Sequence, residues 1–413
     1  MHLARLVRLA RARNFTTAVR TVQASPYAQT HTSATVVNLG IGQPSPSLLP
    51  LALFQQAAAH ALRDSQDPAL FQYGAGAGFV GFRRDLAAFL SETQPSPVDT
   101  DALLVTAGNS QALSHTAMLF SRHNRRVFVE APTYFLAFDI FRELGLDVAA
   151  VPVDADGLDV DALAKRLASG DVPAFVYTIP TFHNPTGAVL SPARRTRLLA
   201  LAETYAFRVI ADEPYNLLSL DTPPRASLAS FDASGRVVAL GSFSKIISPG
   251  LRLGWAQSSP DTIRELAACG AIRSGGGQNP ITAAMVHSVL QLGLLQPHID
   301  ELRSVFAARK AALCAALRAF CPQCAFNEPQ GGYFVWVQLP RGVDGEQLLA
   351  EAVARHGVAF TPGTRCSLPS SSDSDAYAAA TRAIRVSFAF YDEDEIRLGV
   401  ERLGAALQAV ATV

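Results

Sequence analysis

Short apolar segments alternate with longer amphipathic segments between residues 100 and 260, and no other sequence feature constrains the fold as strongly. The segments between the apolar ones include helix signals such as SPARRTRLLALAETYA (191–206), with Ser191 as the N-cap and Pro192 at the first helical position. The apolar segments, rich in β-branched or aromatic residues, are typical of strands buried on both faces of a sheet. They read ALLVTAG (102–108), RVFVEAP (126–132), AFVYTIP (174–180), FRVIADEP (207–214), VVALGSF (237–243) and LRLGWAQ (251–257). Strands alternating with helices predict βαβ units, and therefore an α/β fold with a wound, mostly parallel sheet.

The pattern changes after about residue 290, where long helices, a Gly-Gly hairpin at 331–332 and a closing helix from about 392 follow. We therefore predict a large domain at 38–290 and a smaller α+β C-terminal domain at 291–413. Residues 38–60 are expected to join the small domain in part. SLPSSSDSD (367–375) is predicted to be an exposed loop.

Charge and cysteine content exclude several classes of protein. Lys and Arg together number 35, and so do Asp and Glu, which argues against a nucleic-acid partner. No apolar run reaches the ~18–20 residues that cross a bilayer, so we expect no membrane association. The five cysteines include the pair Cys321 and Cys324, but no second pair follows at zinc-ribbon spacing. We therefore expect neither a disulfide framework nor a metal site.

The N-terminal segment, residues 1–37, contains no Asp, Glu or Lys. Helical spacing would place its leucines and arginines on opposite sides, and Thr and Ser are frequent from 16 to 35. This composition is typical of a mitochondrial transit peptide, which would direct the protein to the mitochondrial matrix. The alternative is an arm that packs on the enzyme or on a partner subunit, in a cytoplasmic protein.

Polar side chains follow the predicted strands, at the edge of a wound sheet where ligands bind. The first strand is followed by Gly108, Asn109 and Ser110 at the start of a helix, a turn whose N–H groups and helix dipole suit a phosphate. Later strands are followed by an aromatic ring, an amide, a carboxylate, a phenol, two hydroxyls, an amine and a guanidinium: Tyr134, Asn184, Asp212, Tyr215, Ser242, Ser244, Lys245 and Arg252.

A carboxylate and an amine on different strand ends, beside a phosphate site, are the groups that pyridoxal 5'-phosphate (PLP) requires. The amine forms a Schiff base, and the carboxylate pairs with the pyridine nitrogen. The chain has three lysines, and Lys165 and Lys310 lie in amphipathic helical contexts that predict solvated faces. The sequence therefore predicts a PLP site with Lys245 and Asp212 at its centre.

From about Asn38 onward the sequence resembles the fold-type I PLP-dependent aminotransferases of the class I/II superfamily. It is most similar to the aminoadipate/kynurenine aminotransferase group and to the aminotransferase domains of MocR regulators. The motifs that carry the resemblance occur in family order: NLGIGQP, QYGAGAG, GFR, TAGNSQAL, EAPTY, PTFHNPTG, ADEPY, SFSKIISPGLRLGW, QGGYFVW, TPG and RVSF.

The resemblance implies roles for the cofactor residues. Lys245 would carry the aldimine and transfer protons, Asp212 would pair with the pyridinium, and Tyr134 would stack on the ring. Asn184 and Tyr215 would bind the 3-oxygen. The phosphate would be held by Gly108, Asn109, Ser110, Ser242, Ser244 and Arg252. Asn109 departs from the family, in which Ser or Thr is usual, although an amide can still donate to a phosphate.

The resemblance also implies how the substrate and a partner subunit bind. Arg385, together with Gly42 and Asn184, would bind the substrate carboxylate, since a planar guanidinium matches a planar anion. Tyr73 would reach the phosphate of the partner subunit's cofactor, which implies a homodimer with shared sites.

The activity implied is an aminotransferase that moves an amino group from an L-amino acid to a 2-oxo acid through a pyridoxamine phosphate intermediate. A PLP-dependent lyase or synthase on the same fold is an alternative, because the same lysine and aspartate would serve it. A more distant alternative is a MocR-like ligand-sensing regulator that lacks its DNA-binding domain. Residues 1–37 show no recognition-helix pattern that would favour it.

Overall fold

The computed structural model describes residues 32–64, 68–368 and 374–411. Most of the predicted N-terminal segment (1–37) and most of the predicted loop (367–375) lie outside the described residues. Within them the chain divides into two units, which we call the large unit and the small unit. The large unit comprises residues 49–183 and 188–303, and the small unit comprises the described residues up to 48, residues 184–187 and those from 304 onward.

Fourteen strands occur among the described residues. In chain order they are β1 (Val37–Asn38), β2 (Leu103–Thr106), β3 (Arg126–Ala131), β4 (Asp147–Asp154), β5 (Gly157–Leu158), β6 (Phe175–Thr178), β7 (Arg208–Asp212), β8 (Val237–Ser242), β9 (Gly254–Gln257), β10 (Ala325–Phe326), β11 (Phe334–Gln338), β12 (Val358–Ala359), β13 (Thr361–Pro362) and β14 (Ala383–Ser387).

Thirteen α-helices occur in the same described part of the chain. They are α1 (Leu51–Ala59), α2 (Val80–Ser91), α3 (Asn109–Phe120), α4 (Phe135–Glu143), α5 (Val160–Ala168), α6 (Pro192–Tyr205), α7 (Pro260–Ala267), α8 (Gly270–Gly275), α9 (Pro280–Gln291), α10 (Leu295–Phe320), α11 (Gly345–Glu351), α12 (Ser374–Thr381) and α13 (Glu393–Ala411).

The large unit is built on an eight-stranded sheet with the order β2-β9-β8-β7-β6-β3-β4-β5. The central pairs β8/β7, β7/β6, β6/β3 and β3/β4 are parallel, and the outer pairs β2/β9, β9/β8 and β4/β5 are antiparallel. The predicted α/β fold with a mostly parallel sheet is therefore confirmed. All six predicted strands are present, and β6 and β8 are buried along their whole length. We did not predict β4, because exposed positions interrupt its apolar residues towards both ends.

Apolar side chains from the strands and helices fix the strand ends of the large unit. Phe128, Val176 and Val209 from neighbouring strands pack with Leu163 of α5 and Leu198 of α6 in one buried cluster. Burying a side chain of this size contributes about 1.5–3 kcal/mol, so the sheet is a rigid support for the polar groups at its edge.

The small unit contains an antiparallel sheet with the order β10-β11-β14-β13 and a separate parallel pair, β1 with β12. Helix α13 packs on β1 and β12, which agrees with the predicted closing helix and α+β character. The boundary between the units lies between residues 303 and 304, inside α10, rather than at 290 as we predicted. Residues 184–187 also belong to the small unit, which no local sequence pattern indicates.

Candidate active site

Asp212, the last residue of β7, is a buried acid, with 6% of its surface exposed. Its Oδ1 atom accepts a hydrogen bond from Asn109 Nδ2 at 2.6 Å, and its Oδ2 atom accepts one from the Tyr177 hydroxyl at 2.8 Å. Burial raises the pKa of Asp212 above its ordinary value, although these two hydrogen bonds and the charge of Lys245 act in the opposite direction. Burial and the neighbouring Asp212 charge also raise the pKa of Tyr177 far above its usual range, so Tyr177 remains a hydrogen-bond donor.

Lys245 follows β8 in a tight turn. Ser242 Oγ accepts a hydrogen bond from the Ser244 backbone N–H at 3.1 Å, and Phe243 between them is fully buried. This turn holds the half-buried Lys245 close enough to interact electrostatically with Asp212. An amine and a carboxylate that follow or end separate strands therefore lie near each other in the large unit.

A turn at Gly108 and the guanidinium of Arg252 form an anion-binding cradle. Gly108 has φ +81° and caps the N-terminus of α3, and a Cβ atom at this position would lie 2.9 Å from Arg252 Nη2. Arg252 itself has a left-handed backbone with φ +47°, and Asn279 Nδ2 donates a hydrogen bond to its carbonyl oxygen. A glycine turn, a helix N-terminus and a guanidinium together suit a phosphate, and Ser110 lies exposed in the first turn of the same helix.

The side-chain amide of Asn109, which we predicted to bind the phosphate, donates to two protein acceptors in this structure. We expected its amide to donate to a phosphate, but its nitrogen donates to Asp212 and, at 3.0 Å, to the carbonyl oxygen of Leu240. The reason is that Asp212 and Leu240 are register partners in β7 and β8, so both acceptors lie together at the sheet edge. The part of Asn109 that suits a phosphate is its backbone N–H, at the start of α3.

The three predicted tyrosines differ in exposure. Tyr215 is buried with 3% of its surface exposed, and Tyr134 is half-buried at the start of α4, where it interacts electrostatically with Tyr177. Tyr73 is 79% exposed in the single chain. Its Cβ atom packs close to Gly276, since a Cβ atom at that glycine would lie 3.2 Å from Tyr73 Cβ.

A second group of predicted residues meets in the small unit, around Arg385 of β14. Arg385 is buried; its Nη1 donates to Asn184 Oδ1 at 2.9 Å, and its Nη2 donates to the Gly40 carbonyl oxygen at 2.9 Å and to Thr361 Oγ1 at 3.2 Å. The guanidinium carbon lies 4.1 Å from the centre of the Phe334 ring. The structure thus brings Arg385 and Asn184 together although 201 residues separate them in sequence.

Gly42 lies beside the same guanidinium. A Cβ atom there would lie 2.8 Å from Phe334 Cζ and 3.9 Å from Arg385 Nη2, so only glycine fits without displacing the ring. The three residues predicted to bind a carboxylate, Arg385, Asn184 and Gly42, are therefore neighbours.

Sequence reasoning missed several residues that support these two groups. Tyr177 lies within a predicted strand, where a buried phenol requires a hydrogen-bond partner, and that requirement was the available signal. Thr361 is the register partner of Arg385, and Phe334 contacts Arg385 from the neighbouring strand β11; the sequence carries no signal for either contact. Glu130, which is buried, accepts hydrogen bonds from Thr178 Oγ1 and the Ile179 N–H, and lies 3.0 Å from Nε2 of the buried His183.

The described residues contain no group of three His, Cys, Asp or Glu side chains that could hold a metal ion. In the same part of the chain, no helix is long and apolar enough to span a membrane. Burial raises the pKa of Cys321 to about 12 and that of Cys324 to about 11, so both are thiols at neutral pH.

The residues of the large unit fit PLP on chemical grounds. Asp212 is a buried carboxyl whose two described hydrogen-bond donors are neutral, which suits a cationic ring nitrogen. The cradle at Gly108 and Arg252 suits the phosphate, and Lys245 supplies an amine that interacts with Asp212.

Comparison with known proteins adds an independent line of evidence. The sequence profile of a family described as aminotransferase class I and II matches residues 34–403. An aromatic-amino-acid aminotransferase of Thermococcus litoralis is 33% identical over 90% of this chain and 88% of its own length. A 2-aminoadipate transaminase of Thermus thermophilus is 32% identical over 91% of each chain. The crystal structure of a kynurenine aminotransferase from Pyrococcus horikoshii, in complex with PMP, is similar with a TM-score of 0.83 and 31% identity, covering 91% of this chain and 92% of that one.

Proposed function

The chain belongs to the class I and II aminotransferase family, and from this premise we propose which residues perform its reaction and on which substrates. It is a PLP-dependent enzyme that transfers an amino group between amino acids and 2-oxo acids. Bound PLP supplies the carbonyl carbon that receives the amino group and a ring that accepts electrons when a bond to the substrate α-carbon breaks. The lyase and regulator alternatives are not favoured, since the relatives described above are aminotransferases.

Lys245 and Asp212 are the proposed catalytic pair. Lys245 would bind the cofactor covalently when substrate is absent and move a proton at the substrate α-carbon when substrate is present. Asp212 would hold a proton on the cofactor's ring nitrogen, and the observation that supports this is a buried carboxyl group whose described donors are neutral. Tyr134 would stack on the ring as a third residue in contact with it.

The remaining cofactor contacts are proposed for residues whose positions suit an anion or a hydroxyl. Asn184 and Tyr215 would bind the 3-oxygen. The phosphate would be held by the turn at Gly108, the backbone N–H of Asn109, and the side chains of Ser110, Ser242, Ser244 and Arg252. The support is the cradle of glycine turn, helix N-terminus and guanidinium.

Arg385 is proposed to bind the substrate carboxylate, and its geometry is the observation that supports amino acids as the substrates. The side-chain oxygens of Asn184 and Thr361 and the backbone carbonyl of Gly40 fix the plane of its guanidinium. Phe334 covers one face. A guanidinium held in one plane matches a planar carboxylate bidentately. Gly42 leaves this surface without a side chain that would obstruct it.

We propose that the donors are L-amino acids with aromatic or long side chains, because the relatives are named for aromatic amino acids, 2-aminoadipate and kynurenine. A donor screen with 2-oxoglutarate and with pyruvate as acceptors tests this. We expect the highest kcat/KM for such donors and no turnover by the Lys245→Ala control. A preference for alanine or glycine over every larger donor would contradict the proposal.

We also propose that the enzyme is a homodimer in which Tyr73 completes the partner's phosphate site. Exposed apolar side chains on elements that pack around α9 support this: Leu51, Phe71, Tyr73 and Val80 are 71%, 70%, 79% and 59% exposed. Light scattering at micromolar concentration is expected to give twice the chain mass of 44.0 kDa. A fully active monomer would contradict it.

Finally, we propose that the Arg-rich, acid-free residues 1–37 direct the protein to the mitochondrial matrix. Fused to a fluorescent protein, this segment is expected to confer import into isolated mitochondria. A fusion that stays outside would favour the cytoplasmic alternative.

A further inference from the structure

The side chain of Asn109 connects the ends of two neighbouring strands in the large unit. Its amide nitrogen donates one hydrogen bond to Asp212 Oδ1 at 2.6 Å and another to the carbonyl oxygen of Leu240 at 3.0 Å. Asp212 and Leu240 are register partners: Asp212 ends β7, and Leu240 lies two residues before the end of β8. Asn109 is held in place by the Gly108 turn, because it is the first residue of α3.

The contacts of this amide also fix its orientation. Both atoms that face its nitrogen are acceptors, and the reversed orientation would place the amide oxygen against a carboxylate. In the observed orientation Asn109 Oδ1 is buried and makes no hydrogen bond with the described residues. A buried carbonyl without a donor costs free energy, so the benefit of this amide lies in what its nitrogen does for Asp212.

We propose that Asn109 is a positioning residue for Asp212: together with Tyr177 it places one neutral donor on each carboxylate oxygen and so keeps Asp212 anionic and oriented. The inference rests on the proposed function of Asp212 as the partner of the cofactor's ring nitrogen. Neutral donors suit this task because a cationic donor would compete with that nitrogen for the carboxylate.

The balance of charge around Asp212 shows why each donor matters. Burial disfavours the anion, and so does the negative charge of Glu130, whereas Lys245, Tyr177 and Asn109 favour it. The sum leaves the pKa of Asp212 raised. Losing one donor would raise the pKa of Asp212 further. The proton between Asp212 and the cofactor's ring nitrogen would then reside on Asp212 instead of on that nitrogen.

The first test uses the full-length protein without cofactor and the variant Asn109→Leu, which keeps the size of the side chain and removes the donor. At acid pH, where Asp212 is protonated, the variant should show only the deficit that comes from leaving the Leu240 carbonyl oxygen without its donor. As pH rises towards 8 the variant should lose stability relative to wild type, because its ionised Asp212 lacks a donor. The same change in an Asp212→Asn background should show no such pH dependence. A deficit that does not grow with pH, or that grows with pH equally in that background, would overturn the proposal.

The second test uses the holoenzyme. Asn109→Leu should lower kcat by about tenfold to a hundredfold and weaken PLP binding, with KM for the amino acid nearly unchanged. Tyr177→Phe is the matched variant, because it removes the donor to the other oxygen, and it should give the same pattern. Asn109→Ala is the second variant if the leucine variant does not fold, and because it also removes the donor it should show the same pH-dependent deficit.

The outcomes separate this inference from the function on which it rests. If Asp212→Asn left kcat unchanged, the proposed function of Asp212 would be wrong. If Asp212→Asn lowered kcat but the Asn109→Leu deficit did not vary with pH, only the positioning role of Asn109 would fail.

Discussion

Replacing Arg385 should impair the capture of amino acids and leave the reaction of simple amines almost unchanged. We expect Arg385→Leu to lose the charge-assisted hydrogen bonds to the substrate carboxylate. Bonds of this kind are worth about 1.5–3 kcal/mol, and each 1.36 kcal/mol corresponds to tenfold. The expected loss in kcat/KM for an amino acid is therefore about tenfold to 150-fold, mainly through KM.

The matched control is a donor that lacks only the carboxylate. We would measure kcat/KM for L-phenylalanine and for 2-phenylethylamine with the wild type and the variant. The amine should react poorly with both enzymes and to about the same extent, so the ratio of the two donors should fall in the variant.

A smaller change beside Arg385 tests whether its guanidinium must be held in one plane. Thr361 Oγ1 accepts from Arg385 Nη2 at 3.2 Å, and Thr361→Val removes that acceptor while keeping the shape of the side chain. One neutral hydrogen bond is worth about 0.5–1.5 kcal/mol, so we expect a loss of roughly twofold to tenfold for the amino acid alone.

The bound-cofactor spectrum and the unfolding temperature should be measured for both variants as controls. They are needed because Arg385 is buried, and its loss leaves Asn184 Oδ1 and the Gly40 carbonyl without their donor. Equal losses for amino acid and amine, with a normal spectrum, would refute the assignment of Arg385 to the carboxylate.

Three further predictions concern the large unit. Lys245→Ala should remove the visible absorbance of the lysine-bound cofactor and lower transamination by several orders of magnitude, and a borohydride-reducible adduct in this variant would contradict the assignment. Glu213 is buried, which raises its pKa above the ordinary value of 4.5, so its charge destabilises the fold increasingly as pH rises above 4.5. The unfolding temperature of Glu213→Gln should therefore rise relative to that of the wild type between pH 4.5 and 7.5. A difference between the two unfolding temperatures that stays constant with pH would contradict this. Tyr73→Phe should raise the dissociation constant of PLP by about tenfold, the value of one hydrogen bond to an anion, and an unchanged constant would remove Tyr73 from the phosphate site.

The strands of the large unit could be predicted because burial on both faces leaves a clear local signal. FRVIADEP ends in the residue that closes β7, and SFSK follows β8 as expected. β4 carried a weaker signal, since its exposed positions interrupt the apolar run. Asn109 shows a different limit: its place at the start of α3 was predictable, but which acceptor its amide would find depended on the pairing of β7 with β8.

The residues proposed to bind the substrate carboxylate could be predicted from the sequence only through family resemblance. Nothing local in HNPTG indicates that Asn184 hydrogen-bonds Arg385. The contribution of Thr361 follows from its register with Arg385 across β13 and β14, which is a property of the folded sheet. Residue types at strand ends are therefore predictable, whereas their partners depend on tertiary packing.

The hydrogen bond between Asn109 and Asp212 joins residues that are 103 positions apart, and Asp212 also interacts with Lys245 further along the chain. Contacts this distant in sequence form late in folding, because closing long loops costs entropy before the contact is made. A partly folded chain therefore has no complete set of PLP ligands, and PLP binds only the molecules that have finished the large unit. By mass action, the supply of vitamin B6 would then set how much of this protein persists in a cell, in addition to how much of it is active.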